Sequence, residues 1–452
     1  MNLYKHQEIT VELMKREKRV AVWLEQGLGK TLCAIRAIEE LGLQRPVIVC
    51  PNYLKRTWFN EFRKWSPATL PRVIEAKGRD AAIAEDAWPK IINYEGYRIS
   101  ADKIAGLCPD VVVYDESQYI KERKSKVTKT AWEMSKALPR ARIWCMTGTP
   151  IYNNFGDYYG QYKTLRPDLF RTWTDFKNNF LIMGGFMGHK VIGSQNEDRF
   201  YRLTDPYTIR LKKEDCLDLP EKIYQTITLE LPPVLWAAYD KMAQESALEI
   251  ESAETVTAPM VTTCLMRLQQ ICSGWIGNRT PDGQVVTHEI GPNPKIETML
   301  GLVEGASGPV LVWAHFRKDI HALVKMFREA GYNTEFINGE VTDTAKRQAH
   351  IDNFQAGKLK VLVIQDSIVA GMTLTAAVAE IFYQNGYSYA NRMQAEDRAH
   401  RIGQSRKIVI YDVIIKDTIE ESIKKAIERK QNIAAIVDKN SLRNIFLEGV
   451  KK

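Results

Sequence analysis

Two α/β lobes, each built on a buried parallel sheet, are what this 452-residue sequence predicts. Three observations carry the prediction: short apolar runs alternate with longer helix-like stretches, the alternation occurs twice, and a glycine-lysine-threonine loop follows the first run. Strands separated by helices imply βαβ units. Uninterrupted apolar runs, rather than strict alternation, suit parallel strands buried on both faces. At about 100–200 residues per domain, the length asks for two domains or three.

In the first half the strand-like runs are Val20–Leu24, Val47–Cys50, Val111–Tyr114 and Arg142–Met146. In the second they are Val310–Trp313, Thr334–Ile337, Lys360–Ile364, Glu380–Gln384 and Lys407–Val413. Residues 152–200 are rich in Tyr, Phe, Trp and Asn, with a glycine-rich turn at Gly184–Gly188. They read as a helical insertion whose aromatics are buried, with base stacking as the other use of such rings. Helical spacing over residues 233–275 predicts a helical protrusion. "DLPEK", Asp218 to Lys222, reads as an extended connector, because proline disfavours helix in the residue before it. The boundary falls there, giving lobes 1–217 and 218–452. Interleaved charged and apolar residues over 417–451 predict one C-terminal helix.

Composition narrows the function classes. Hydrophobic residues make up 45% and charged residues 26%, an ordinary globular balance that excludes a disordered or collagen-like chain. No run reaches the ~18 apolar residues of a membrane span, and "MNLYKHQEIT" lacks the apolar core of a signal peptide. The expectation is a protein of the cytoplasm, at the nucleoid or in host cytoplasm if the source is viral, without a membrane partner. Lys plus Arg number 63 against 55 acids, a net +8 that permits a polyanionic partner without demanding one. The seven cysteines are widely spaced with no CxxC pair, against a zinc ribbon or disulfide framework.

Four motifs bear chemistry. Strand Val20–Leu24 runs into "EQGLGKT", Glu25 to Thr31, and then a helix-like segment, the setting of a phosphate-binding loop. Gly27 and Gly29 let backbone N–H groups approach phosphate oxygens. Lys30 would reach the β and γ phosphates, the Thr31 hydroxyl would bind Mg2+, and the helix N-terminus adds partial positive charge. A surface turn before a helix is the plainer reading of a lone GKT, and Leu24 stands where the strict pattern wants glycine. "VVVYDES" is a buried strand ending in Asp115 and Glu116, where open α/β sheets bind ligands. Asp115 can hold Mg2+ while Glu116 polarises the attacking water. "TGTP", Thr147 to Pro150, is a hydroxyl-rich strand end beside the phosphates. In "QAEDRAHRIGQ", Gln394, Arg398 and Arg401 fall at i, i+4 and i+7, so one helical face is expected to project all three. Arginines so placed suit charge stabilisation in phosphoryl transfer, although a lone RxxR is more often a solvated face.

Taken in order, this set resembles a helicase of superfamily 2, and within it the SWI/SNF family of DNA-translocating ATPases. "YKHQ" is similar to the adenine-recognising element, with Gln7 as its glutamine. "EQGLGKT" resembles motif I, "CPNYLKRTWFNEFRKW" motif Ia, "INYEGYR" motif Ib, "DESQ" motif II and "TGTP" motif III. "RLKKEDCLDLPEK", "LMRLQQIC" and above all "AEDRAHRIGQ" are similar to stretches of this family rather than of helicases at large. The serine of "DES" and "AGMTLTAA" lean towards its annealing-helicase branch. The resemblance implies two RecA-like P-loop NTPase lobes with helical protrusions, binding ATP and Mg2+. Lys30 and Thr31 would hold phosphate and metal, Asp115 and Glu116 would complete the hydrolytic site, and Arg398 and Arg401 would act as arginine fingers with Gln394 nearby.

The implied partner is double-stranded or branched DNA, gripped through its phosphates, so binding is expected to be sequence-independent and salt-sensitive. Lys55, Arg56, Trp58, Lys121, Lys124 and Thr373 are the candidate DNA contacts, with Arg123 and Lys126 adding charge. Two departures from the family pattern stand out. Gln118 replaces the usual histidine after "DES", and Val369 replaces the first glycine of motif V, although Gly371, Thr373 and Leu374 remain. With so little sequence outside the motor, targeting is expected from DNA structure or a separate targeting protein, nothing requires an obligate oligomer, and a viral or prokaryotic source is suggested. The expected activity is a double-stranded DNA translocase. The rivals are a strand-separating helicase or restriction-system motor, and a nucleotide-switched interaction protein with negligible turnover.

Overall fold

Parallel pairing runs through both large sheets of the computed structural model, which describes residues 3–151, 154–184, 190–217, 219–253, 256–279, 285–368, 372–401, 403–429 and 439–447. The chain divides into two compact units, Met1–Asp218 and Leu219–Lys452. Strands of the first unit are β1 (Arg19–Leu24), β2 (Pro46–Cys50), β3 (Arg72–Val73), β4 (Lys90–Asn93), β5 (Val111–Asp115), β6 (Arg142–Thr147), β7 (Leu181–Gly184), β8 (Lys190–Ser194) and β9 (Thr208–Leu211). Seven of them form one sheet in the order β3-β4-β2-β5-β6-β1-β9. Alternate side chains feed two cores, Ala21, Val49, Val112 and Cys145 on one face and Val22, Ile48, Val113 and Trp144 on the other. This two-sided burial is why the runs read as continuously apolar.

The second unit holds β10 (Lys222–Leu229), β11 (Trp275–Arg279), β12 (Val285–Glu289), β13 (Val310–Ala314), β14 (Thr334–Ile337), β15 (Val361–Gln365), β16 (Ala379–Phe382) and β17 (Ile408–Ile415). Its six-stranded parallel sheet runs β10-β17-β16-β13-β15-β14, again with a core on each face. The expected protrusion is the helix pair Pro233–Ser252 and Ala258–Cys272, packed with helix Ile419–Glu428 in a separate apolar cluster. No helix among the described residues is long and apolar enough to cross a membrane.

Three expectations change. The 152–200 segment is not purely helical, since helices Asp157–Leu165 and Trp173–Phe180 are followed by the antiparallel hairpin β7–β8. Among its described aromatics, Tyr158, Tyr162, Phe170, Phe176 and Phe200 are buried and packed ring on ring, so these five are unavailable for base stacking, as the buried-aromatic reading expects. The glycine-rich turn lies, after Gly184, outside the described residues. In place of the single C-terminal helix, the described residues show two, Ile419–Glu428 and Lys439–Phe446, with Ile423 and Phe446 in the same apolar cluster. The connector is shorter than expected, since Lys222 already begins β10 and its ammonium donates to Glu396 at 2.8 Å; Asp218 lies outside the described residues.

Candidate active site

The phosphate-type loop forms because β1 must turn sharply into helix Lys30–Glu40. Gly27 and Gly29 sit at φ +87° and +83°, backbone that a β-carbon disfavours. Gly29 has a second constraint, since a Cβ there would lie 2.4 Å from Gln7 Nε2. Gln7, on helix Lys5–Arg16, is buried and donates to the Leu28 carbonyl at 3.2 Å. His6 Nε2 contacts the same carbonyl at 3.1 Å. The residue expected to read adenine therefore braces the loop directly. Lys30 Nζ donates to the Leu24 carbonyl at 2.8 Å, which holds the ammonium within the loop. Thr31 follows in the first helical turn, half-buried.

At the end of β5, Asp115 is buried and receives two hydrogen bonds, from Trp58 Nε1 at 2.8 Å and from the Glu116 backbone N–H at 3.0 Å. Burial and the neighbouring Glu116 charge push the Asp115 carboxyl up to about 7, while the Trp58 indole and the Lys30 ammonium pull it back. Thr31 and Asp115 together offer hydroxyl and carboxylate oxygen, the donor chemistry that Mg2+ takes. Glu116 adopts φ +52°, a left-handed conformation that costs a non-glycine residue roughly 1–3 kcal/mol and clusters at functional sites.

Gln118 explains how Glu116 is held. Its Nε2 donates to Glu116 Oε2 at 2.9 Å, and its Oε1 accepts from the Thr147 hydroxyl at 2.7 Å. The amide that replaces the usual histidine therefore wires "DESQ" to "TGTP". A parallel link runs from the Ser117 hydroxyl to Gln161 Oε1 at 2.7 Å, and from Gln161 Nε2 to the Pro150 carbonyl at 2.8 Å. Gly148 closes the ring, since a Cβ there would meet Gln26 N at 3.2 Å. Gln161 was not legible in the sequence, because its partners lie on other elements and it carries no motif of its own.

Several proposed DNA contacts are corrected. Lys55 is 4% exposed, and its ammonium is spent on the Ile74 carbonyl at 3.2 Å and on the Glu75 carboxylate. Trp58 is buried and serves Asp115 rather than a surface. Lys121 is half-buried, 3.9 Å from Asp157, and burial lowers its pKa. Arg56 and Lys124 are exposed, Arg56 lying over the Phe59 ring at 4.7 Å. Thr373 is exposed and accepts a hydrogen bond from Arg401 Nη1 at 3.0 Å; Val369 and Gly371 lie outside the described residues.

In the second unit, helix Tyr389–Ala399 carries Gln394 and Arg398 one turn apart, but not Arg401. The expected three-residue face fails because the helix stops. The Arg398 carbonyl is taken by the Leu374 N–H at 2.9 Å, and Gln404 Nε2 donates to the carbonyls of Thr375 and Ala377, both at 3.1 Å. Gly403, at φ +101°, makes that return. An unforeseen network anchors the helix: buried Arg392 donates to Glu396 Oε1 at 2.8 Å and Asp412 Oδ1 at 2.5 Å, while Tyr224 donates to Glu396 Oε2 at 2.7 Å.

Trp58→Phe should keep the ring and delete the N–H to Asp115. Hydrogen-bonded neighbours of metal ligands typically carry 10–100-fold in affinity or activity. The Mg2+ concentration for half-maximal ATP hydrolysis is expected to rise about tenfold. An unchanged Mg2+ titration would show that the indole only fills space.

Comparison with known proteins finds two matching domains, the first of which runs past the unit boundary at Asp218. Residues 6–274 match the SNF2-related domain and residues 294–403 the Helicase conserved C-terminal domain. The chain is 25% identical over 95% of its length to Protein CHROMATIN REMODELING 4 of Arabidopsis thaliana, covering 21% of that protein. It is 25% identical over 93% of its length to the mouse DNA annealing helicase and endonuclease ZRANB3, covering 39% of it. Among solved structures, the Sulfolobus solfataricus SWI2/SNF2 ATPase core in complex with dsDNA aligns at 23% identity and a TM-score of 0.45, over 99% of this chain and 95% of that one. The chain spans less than half the length of the curated relatives it matches.

Proposed function

The chain belongs to the SNF2-related family, and from that premise we propose that it is an ATP-driven motor that tracks along double-stranded DNA and remodels branched DNA or protein–DNA complexes. The observation that carries the reading is the bond from Gln118 to both Glu116 and Thr147, which joins hydrolytic and sensing motifs. In the proposed reaction the ATP phosphates lie at the N-terminus of helix Lys30–Glu40, and Lys30 exchanges loop carbonyls for β- and γ-phosphate oxygens. Glu116 orients the attacking water, and Arg398 and Arg401 stabilise charge in the transition state. Mg2+ held by Thr31 and Asp115 would neutralise charge on the phosphate oxygens.

Strand separation keeps one observation in its favour. Hairpin β7–β8 leaves Ile182 and Ile192 43% and 62% exposed, whereas the segment between Gln384 and Tyr389 holds no hairpin. The test sets a triplex beside a tailed duplex under ATP. Release of the third strand with the tailed duplex intact is expected, because a motor gripping whole duplex needs only its phosphates. Robust release of single strands from the tailed duplex would favour the helicase reading. Duplex should also raise ATP turnover more than RNA does, with DNA affinity falling at least about tenfold between roughly 50 and 200 mM salt. Absence of turnover under every cofactor would favour the nucleotide-switched interaction protein.

A further inference from the structure

A stack of tyrosines runs from the surface to the backbone of Glu116. Tyr119 is 49% exposed, and its ring lies parallel to that of buried Tyr94, with centroids 5.3 Å apart and planes 5° apart. Tyr94 in turn stacks on buried Tyr114 at 6.4 Å, and Tyr114 shares a hydroxyl contact of 2.9 Å with Tyr97. The inner end of the stack is polar. The Tyr94 hydroxyl donates to the Asp115 carbonyl at 2.8 Å and lies 3.4 Å from the Glu116 carbonyl. The Tyr119 backbone N–H donates to that same Glu116 carbonyl at 3.0 Å. Both stacked residues therefore grip the carbonyl of Glu116, itself held at φ +52°.

We propose that the outer face of Tyr119 receives the sugar–phosphate backbone of duplex DNA, and that the Tyr119–Tyr94 stack passes that contact to Glu116. The proposal rests on the reading of the chain as a DNA-stimulated ATPase and names the residue by which stimulation arrives. The surroundings fit a polyanion, since Lys124 and Lys126 are exposed and Arg123 lies half-buried over the Trp173 ring, against the single acid Glu122 in residues 121–126. A tyrosine ring packs on deoxyribose and its hydroxyl can donate to phosphate, a contact blind to base sequence. Because the ring is braced by Tyr94 rather than by solvent, displacement of Tyr119 must move either Tyr94 or the turn Ser117–Ile120. Either route ends at the Glu116 main chain. Tyr94 is thus a positioning residue, acting on hydrolysis through Glu116 without touching DNA.

The experiment measures the ratio of ATP turnover at saturating duplex to turnover without DNA, together with duplex affinity, in wild type, Tyr119→Ala and Tyr94→Phe. Thermal melts of all three set aside variants that fail to fold, and Tyr119→Leu replaces Tyr119→Ala if that variant is lost. The ratio is expected to fall about tenfold in both variants, within the range usual for coupling between sites. Duplex affinity should weaken in Tyr119→Ala and stay at the wild-type value in Tyr94→Phe, whose ring is buried. A wild-type ratio in Tyr94→Phe overturns the relay, and unchanged affinity in Tyr119→Ala overturns the contact. If duplex fails to stimulate the wild-type protein, the translocase reading falls first and this proposal with it.

Discussion

Glu116→Gln is expected to bind ATP within a few-fold of the wild-type affinity while turning it over about a hundred- to a thousandfold more slowly. Proton transfer by a positioned carboxylate contributes typically 10²–10⁴-fold, which sets the size of the loss. Binding should survive because the loop that would hold the phosphates is built from Gly27, Gly29 and Lys30, with Lys30 held by the Leu24 carbonyl at the start of the loop itself. Shape should survive too. Glutamine matches glutamate in length, and an amide oxygen can still accept from Gln118 Nε2, now 2.9 Å from Glu116 Oε2. What disappears is the negative charge that polarises water. A fluorescent nucleotide titration beside a phosphate-release assay separates the two quantities. Hydrolysis at the wild-type rate would remove Glu116 from the chemistry and, with it, the role assigned to Gln118.

The sheets were legible because burial on both faces writes continuous apolar runs, and nine such runs match strands of the two cores. The strands that escaped notice show the limit of that signal. Strand β4 begins with Lys90, whose stem is buried and whose ammonium donates to the Glu85 carbonyl at 2.7 Å, so a charged letter hides a core position. Strand β10 lies at a sheet edge with Tyr224, Gln225 and Thr226 exposed, which dilutes its apolar content below recognition. The site divides in the same way. Loop, paired acids and "TGTP" could be read locally, since glycine at positive φ and acids at a strand end are consequences of adjacent residues. Lys55 and Trp58 could not, because sequence shows a cation and a ring but not that Glu75 and Asp115 wait for them.

Arg398→Ala and Arg401→Ala should each lower turnover by about a thousandfold, the scale on which arginines contribute to phosphoryl transfer. Nucleotide affinity should stay within several-fold, since such groups act on charge that develops only in the transition state. Lysine should not rescue either position, because a planar guanidinium offers donors that a point charge cannot. The two residues are held by different means, which makes the tests independent. Arg398 lies in the last turn of the helix that Arg392 pins to Asp412 and, through Glu396, to Tyr224. Arg401 lies beyond the helix, on a return shaped by Gly403 and Gln404, with its guanidinium donating to Thr373 at 3.0 Å. Thr373→Ala should therefore reduce turnover only in the presence of Arg401 and have no further effect in the Arg401→Ala background, the pattern of one shared interaction. Rates near wild type in both single arginine variants would return Arg398 and Arg401 to a solvated surface and leave the hydrolytic site without its stabilising charge.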